Sequence, residues 1–361
     1  MLTVLKGWME RFFSDEEALI FLLILISSFA IIISFGRVLA PVFIAIITAY
    51  LLQGGMHFCK RKGLGHLVST IIMFTLFVGC FLSLLLVVIP ATISQAGQLF
   101  YELPNMLGQG QELLMLLPEK YPELIAEHQV QNWISQSGTE MATFGQWLLS
   151  FSIHSIPGAI TILIYLVLVP ILVFFFLKDG SQITGFFVSF LPSDRKLMNT
   201  IWAEMEQQIA NYIRGKAVEI FIVGGVTYVG FISFGLNYAE LLAILVGLSV
   251  LIPYIGAAVV TVPVALIAYF QFGYGETLFY CLLVYGIIQA LDGNVLVPLL
   301  FSEVVNLHPV AIIVAVLGFG GIWGFWGVFF AIPLATLFKA VLTSWPQAVK
   351  KVEPQQSTDE V

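Results

Sequence analysis

Two stretches of this 361-residue chain, Leu241 to Gly275 and Val304 to Phe338, each run 35 residues without a charged side chain. One helical membrane crossing takes about 20 apolar residues, because the hydrocarbon core of a bilayer is ~30 Å thick. Each stretch is therefore too long for one crossing, and glycine and proline interrupt both near the middle. The sequence predicts that each stretch folds back on itself as a broken or re-entrant helical hairpin.

Backbone that leaves a helix inside a bilayer must be satisfied by protein or by a water-filled cavity. Interrupted apolar segments at corresponding positions of a chain therefore indicate a transport site. Gly256 precedes Pro263-Val264-Ala265 much as Gly327 precedes Pro333-Leu334-Ala335, which predicts an inverted repeat. The alternative is coincidence, since glycine and proline are frequent in membrane helices. The residues predicted to break the hairpins are Pro253, Gly256, Pro263, Gly324, Gly327 and Pro333.

The composition is that of an integral membrane protein. Apolar residues make up 59% of the chain and charged residues only 10%, against about 25% charged residues in soluble domains. Ala18 to Gly36 is continuously uncharged, which favours helices over the alternating strands of a barrel. The net charge is -7 and no part of the chain forms a basic domain, so no nucleic-acid partner is expected. Cys59, Cys80 and Cys281 form no CxxC pair, and no metal site or cofactor is expected.

The uncharged runs predict an all-α, polytopic helical membrane protein with about six full spans plus the two broken hairpins. If the N-terminus is cytoplasmic, only Arg37 and Lys120 of the fifteen basic residues fall on the outer side, as the positive-inside rule requires. Both termini are then cytoplasmic, and the N-terminal apolar run is a retained helix rather than a signal peptide. The predicted crossings are 18–35, 38–52, 67–89, 156–177, 217–236 and 277–298.

The same pattern predicts six regions. They are three membrane helices in 1–90, an acidic external helical subdomain in 91–150, a fourth membrane helix in 151–180, a cytoplasmic amphipathic helix in 181–216, a transport core with both hairpins in 217–346, and a disordered cytoplasmic tail in 347–361. Leu197, Ile201 and Met205 recur every four residues in the fourth of these. That spacing predicts a helix lying on the membrane or against a neighbouring subunit.

No sequence motif points to an enzyme. The chain contains no GxxxxGK[ST] nucleotide-binding loop, no HExxH zinc motif and no GxSxG nucleophile elbow. His154 and His308 have no serine or carboxylate at motif spacing with which to form a hydrolytic site. We therefore expect a non-enzymatic membrane protein.

A group of polar residues between positions 289 and 306 interrupts the last apolar part of the chain. An ionisable residue at membrane depth is costly and is by default a functional candidate. The alternative is that Asp292-Gly293 ends a helix at the inner interface, where the carboxylate is solvated. Glu219 and Glu240 lie near the ends of predicted spans and are expected at the interface. The predicted substrate or ion pathway residues are Gln289, Asp292, Asn294, Glu303 and Asn306.

Several longer motifs resemble those of the AI-2E (autoinducer-2 exporter) family, and within it the PerM-type permeases. The resemblance covers most of the chain. It implies a multi-pass transporter of the bacterial inner membrane, in a family whose members are associated with export of a quorum-sensing furanone or with sodium/proton exchange. It implies no agreed site residues. The motifs that carry it are Leu166 to Gly180, Asn211-Tyr-Ile-Arg-Gly-Lys216, Val250-Leu-Ile-Pro-Tyr-Ile-Gly256, Leu291 to Asn294 with Leu307-His-Pro309, and Phe319 to Gly327 with Pro333-Leu-Ala335.

The sequence thus predicts a secondary membrane transporter, a permease that exports a small solute. One alternative is a sodium/proton antiporter. An alternative of another class is a non-transporting membrane scaffold that binds a partner protein. The expected partners are the lipid bilayer, a small-molecule solute, a sodium ion or proton, and further copies of the chain in a homo-oligomer.

Overall fold

The computed structural model describes residues 16–120, 128–130, 132, 156–193, 195–301 and 307–344, and no β-strand occurs among them. Two π-helical turns, Leu84–Val88 and Asp292–Leu296, interrupt otherwise α-helical segments. The helices are α1 (Glu16–Arg61), α2 (His66–Ser83), α3 (Ile89–Lys120), α4 (Ile156–Val188), α5 (Lys196–Ser233), α6 (Ala239–Ser249), α7 (Ile255–Phe272), α8 (Glu276–Leu291), α9 (Val297–Phe301), α10 (Pro309–Phe329) and α11 (Ala331–Ser344).

Eight segments of the described chain are long and apolar enough to cross a membrane, which confirms the prediction of an all-α polytopic membrane protein. Six of them match the six predicted full spans. The other two, Ile255–Phe272 and Pro309–Phe329, are the longer arms of the predicted hairpins, and their shorter partners are α6 and α11. The six are Glu16–Gly36, Val38–Arg61, His66–Leu116, Thr161–Val188, Lys196–Ser233 and Glu276–Phe301.

Several helices are longer than the apolar runs from which they were predicted. Two of the predicted spans lie on a single helix, α1, which continues through Pro41. α3 continues through Pro104 and Pro118 into the acidic region, whose residues 121–127 and 133–150 lie outside the described part. α5 joins the predicted amphipathic helix to the following span, so the boundary expected after Lys216 falls inside one 38-residue helix.

The chain forms two compact units. The first unit contains the described residues 16–40, 181–212 and 301–344, and the second contains the described residues between Pro41 and Gly180 and between Ile213 and Leu300. In the first unit, Ile201 and Met205 of α5 pack with Ala340 and Val341 of α11. The apolar face of the predicted amphipathic helix is thus covered within the chain itself.

The second unit is built around α5 to α8, whose buried side chains form one apolar core. α5 and α6 approach each other closely at Gly224 and Gly247. A Cβ atom on Gly247 would lie 3.0 Å from the carbonyl oxygen of Ile220 and 3.1 Å from the Cα atom of Gly224. Small residues at this crossing let the two backbones touch, as they do between other membrane helices.

Each predicted hairpin is a pair of helices packed against each other. The first hairpin consists of α6, residues 250–254 and α7, and we refer to residues 250–254 as the first break. The second hairpin consists of α10 and α11, and we refer to residues 324–330 as the second break, because the helical path is interrupted at Gly324 and again at Phe330. A side chain of α3, Gln95, fixes the start of α6 by accepting a hydrogen bond from the Leu241 amide at 3.0 Å.

Candidate functional site

Lys216 binds the backbone at the first break. Its ammonium group donates a hydrogen bond to the carbonyl oxygen of Val250 at 2.7 Å. Val250 directly follows the last residue of α6, where helix carbonyls have no partner within the helix. A positive charge at the C-terminal end of a helix also interacts favourably with the helix dipole. Lys216 therefore stabilises the end of the shorter arm of the first hairpin.

The same ammonium group forms a buried ion pair with Glu219. Lys216 Nζ lies 2.8 Å from Glu219 Oε2, and the residues are only 5% and 2% exposed. Both sit on one face of α5, since helix positions three apart are neighbours. Glu219 was expected at the membrane interface, and Lys216 was counted among the cytoplasmic positive charges. Their depth in the membrane stays a prediction, and the structure adds that both side chains are buried on a helix that begins twenty residues before Lys216.

Asp292 lies close enough to Lys216 and Glu219 to interact electrostatically with both. It begins the π-helical turn that follows α8. Its Oδ1 atom is buried and makes no hydrogen bond within the described structure. Lys216, Glu219 and Asp292 form what we term the charge cluster. With all three groups ionised, one ammonium faces two carboxylates, so the cluster carries a formal charge of -1.

A chain of hydrogen bonds between α8 and α7 begins at Gln289, one helical turn before Asp292. Tyr285, Gln289 and Asp292 follow each other at spacings of four and three residues, which places them on one helix face. Gln289 Nε2 donates to the Tyr285 hydroxyl at 2.8 Å, and that hydroxyl lies 2.9 Å from Thr261 Oγ1 on α7. Thr261 donates its own hydrogen to the Ala257 carbonyl at 2.7 Å, so the Tyr285 hydroxyl donates to Thr261.

The other predicted pathway residues do not join this arrangement. Asn294 is exposed and its amide group donates to the Ala290 carbonyl of its own helical segment at 2.8 Å. Glu303 and Asn306 lie outside the described residues. His308, also near the predicted group of polar residues, accepts a hydrogen bond from the Val310 amide at 3.3 Å as the cap of α10.

The first break requires glycine and holds a strained residue. A Cβ atom on Gly256 would collide with the carbonyl oxygen of Ser249, so only glycine fits there. Tyr254 has φ of +62°, a conformation that is rare for residues with a side chain and costs of order 1–3 kcal/mol. Pro253 lies in the turn between α6 and α7. Pro263 was also predicted as a break, but it lies inside α7, because a membrane helix tolerates the loss of one backbone donor.

The second break repeats the same close approach. A Cβ atom on Gly327 would collide with the carbonyl oxygen of Phe319, and Gly324 has φ of +60° and ψ of -136°, which favours glycine. Pro333 is the third residue of α11, where a missing backbone donor costs little.

A tyrosine binds the backbone at the second break, within the first unit. The Tyr212 hydroxyl donates to the Phe329 carbonyl at 2.9 Å in a buried setting. Phe329 ends α10, so this carbonyl is one of those that a helix leaves unpaired. Each hairpin is thus bound at its break by a side chain of α5.

Sequence reasoning named Asp292 and Gln289 but missed Lys216, Glu219, Tyr285 and Thr261. A local signal for the ion pair exists, since a lysine and a glutamate three residues apart are followed by twenty uncharged positions before Glu240. A pair at helix spacing at the edge of so long an apolar run can be buried together.

Comparison with known proteins matches residues 19–347 to the family described as AI-2E family transporter. The chain belongs to the AI-2E family. It is 49% identical over 346 residues to "Putative permease PerM" of Escherichia coli K12, which covers 96% of this chain and 98% of that protein. It is 28% identical to "Putative transport protein YueF" of Bacillus subtilis, over 86% of this chain and 85% of the relative.

A further relative, "Putative transport protein YrrI" of Bacillus subtilis, is 26% identical over 84% of this chain and 85% of its own length. The family assignment confirms the resemblance read from the sequence motifs. The AI-2E chain described here is therefore a multi-pass membrane protein of a permease family. That family membership agrees with the expectation of a non-enzymatic protein.

Proposed function

We propose that the protein is a secondary permease that exports a small solute across the bacterial inner membrane, along a path lined by the first break and the charge cluster. The observation that carries the proposal is the bond from Lys216, itself part of the charge cluster, to the Val250 carbonyl at the first break. Buried ionisable groups in membrane helices mark substrate or ion pathways, and broken helices are tolerated where they line a cavity.

The hydrogen-bonded row of Thr261, Tyr285 and Gln289 supports a path that continues from the charge cluster along α7 and α8. Such a row offers a polar solute successive donors and acceptors inside an otherwise apolar helix bundle. Asp292 joins the row to the charge cluster, because it lies one helical turn beyond Gln289. We infer that Asp292 contacts the solute or a coupling ion.

The family name supplies the first solute to test, autoinducer-2. The assay is uptake of autoinducer-2 into inverted proteoliposomes that contain the purified protein, compared with liposomes without it. We expect Asp292→Asn to lower the initial rate about tenfold or more, which corresponds to about 1.4 kcal/mol of lost interaction. Glu276→Gln is the matched control, since this exposed carboxylate lies in the first turn of the same helix and outside the charge cluster.

Three results contradict all or part of the permease proposal. If autoinducer-2 flux equals that of empty liposomes, this solute is excluded. If a wider panel of small metabolites also shows no flux, transport itself fails and the scaffold alternative takes its place. Equal flux through Asp292→Asn and Glu276→Gln would leave the permease but remove Asp292 from its path.

The sodium/proton antiporter is a second candidate, favoured by the excess negative charge of the cluster. It is tested with a pH-sensitive dye in inverted vesicles whose lumen is acidified by a proton pump. Sodium-induced recovery of dye fluorescence in the wild type, lost in Asp292→Asn and kept in Glu276→Gln, supports the antiporter. Absence of any sodium-induced recovery removes it. A homo-oligomeric assembly is part of the proposal and is tested by the mass of the purified complex in native mass spectrometry.

A further inference from the structure

The charge cluster has one more negative charge than positive charge, with Lys216 and Glu219 buried and Asp292 half-buried. Lys216 supplies one positive charge, while Glu219 and Asp292 supply two negative charges. Among the described residues, Lys216 is the basic group that interacts electrostatically with each of the two carboxylates. An unpaired charge away from water is strongly unfavourable, and proteins avoid it by pairing the charge or by neutralising it.

The contacts of the two carboxylates differ. Glu219 is the closer partner, at 2.8 Å from the ammonium group, and it is almost completely buried. Glu219 Oε2 and Asp292 Oδ1 are both buried atoms that make no hydrogen bond within the described structure, but Glu219 Oε2 has the Lys216 ammonium group as its ion-pair partner. The excess negative charge is therefore best assigned to Asp292, and the position that accepts a neutralising cation is its unpartnered oxygen.

A proton fits this oxygen better than a metal ion does. A metal cation needs several oxygen or nitrogen ligands at once, whereas a proton needs only one acceptor atom. Within the described residues, no group of three or more His, Cys, Asp or Glu side chains could hold a metal ion. Protonation also removes the charge outright, which is how buried carboxyl groups are commonly tolerated.

We propose that Asp292 is a proton-binding residue of the transport cycle, where it takes up one proton from the aqueous phase and so neutralises the charge cluster. This proposal rests on the permease function proposed above. In the step, a carboxylate oxygen of Asp292 accepts a proton and an O–H bond forms, and the reverse step returns that proton to water. The charge of the cluster changes from -1 to 0, and no other bond is made or broken.

The proton on Asp292 is coupled to the first break through Lys216. With Asp292 neutral, the ammonium group has Glu219 and the Val250 carbonyl as its partners. With Asp292 charged, a second carboxylate competes for the same ammonium group and weakens its hold on Val250. Proton release from Asp292 therefore weakens the bond from Lys216 to the Val250 carbonyl at the first break, and proton uptake strengthens it.

Among the residues that the structure describes, few titratable groups face Asp292. From α5 they are Lys216 and Glu219, and from its own helix the titratable group on the same face is Tyr285. Thr261 on α7 contributes a hydroxyl through Tyr285 and carries no charge. Variants of the two carboxylates thus separate the contributions without changing other charges in the cluster.

The test is infrared difference spectroscopy of the full-length protein in lipid films, recorded between pH 5 and pH 9 without added solute. The C=O stretch of a protonated carboxyl group reports proton binding directly. We expect one such band in the wild type, its loss in Asp292→Asn, and its retention in Glu276→Gln. In Glu219→Gln the band should weaken, because Asp292 then no longer competes with a second carboxylate for the Lys216 ammonium group.

Three outcomes overturn the proposal. The first is a wild-type spectrum without a titrating carboxyl band, and the second is a band that persists unchanged in Asp292→Asn. The third is a band that disappears on addition of sodium chloride but not choline chloride at constant pH, which would assign the oxygen to a sodium ion. Thermal unfolding of each variant checks that it is folded. Because the spectra need no solute, absence of flux for autoinducer-2 and for the whole solute panel, with an intact Asp292 band, would refute the permease proposal and not the proton site.

Discussion

Replacing Lys216 with methionine tests the energetic role of the charge cluster most sharply. The substitution keeps the length of the side chain but removes the ammonium group, so Glu219, only 2% exposed, loses its partner at 2.8 Å. Breaking a buried ion pair from one side costs about 3–5 kcal/mol of unfolding free energy. The Val250 carbonyl also loses its donor at 2.7 Å, which accounts for about 1–3 kcal/mol of destabilisation in similar cases.

A double-mutant cycle separates the ion pair from the other contacts. In Lys216→Met combined with Glu219→Gln, neither charge of the close pair remains, so the cost should fall well below that of Lys216→Met alone. We expect an interaction energy of about 2 kcal/mol, within the range found for residues in direct contact. The assay is reversible unfolding in mixed micelles of dodecylmaltoside and sodium dodecyl sulfate, followed by tryptophan fluorescence.

Lys178→Met is the matched control, because Lys178 and Asp179 form an exposed ion pair at 3.8 Å. Exposed pairs contribute about 0.2–1 kcal/mol, so this variant should unfold almost like the wild type. The reasoning is refuted if Lys216→Met destabilises the protein no more than Lys178→Met. It is also refuted if the two substitutions of the cycle add to within about 0.5 kcal/mol, as independent sites do.

Two further predictions concern the breaks. Gly256→Ala should destabilise the protein by about 1–3 kcal/mol or more, because the new Cβ atom meets the Ser249 carbonyl. Gly286→Ala on α8 is the control, since a Cβ atom there has open space and the substitution should be neutral. Equal thermal midpoints for the two variants would contradict this prediction. Tyr212→Phe should cost about 1–3 kcal/mol, because the buried Phe329 carbonyl loses its donor, and an unchanged unfolding free energy would show that this carbonyl finds another partner.

The two hairpins were predictable from the sequence because their cause is local. A charge-free run longer than one crossing must fold back, and glycine and proline show where it does so. Pro263 shows the limit of that reasoning, since a proline in an apolar run can break a helix or lie within it. Whether the backbone continues depends on neighbouring helices that satisfy the freed carbonyl, and those neighbours are distant in sequence.

The charge cluster was only half predictable for a related reason. Asp292 stands out because it is an isolated acid in an apolar run, but Asn294 stands in the same run and turns out to be exposed. Lys216 and Glu219 lay at the predicted start of a span and looked interfacial. The structure adds that α5 begins twenty residues earlier, at Lys196, and that the pair is buried within the protein. Only the packing of α5 against α6 brings Lys216 to the Val250 carbonyl.

The central claim is that the first break lines a hydrophilic passage, and thiol labelling of single cysteines tests it directly. After Cys59, Cys80 and Cys281 are replaced by serine or alanine, Tyr254→Cys places a thiol at the exposed residue of the first break, and Val262→Cys places one on the exposed apolar face of α7. The account predicts rapid reaction of the thiol at position 254 with a membrane-impermeant methanethiosulfonate in proteoliposomes, and little reaction at position 262. Equal protection of both thiols from the reagent on either side of the membrane would contradict it.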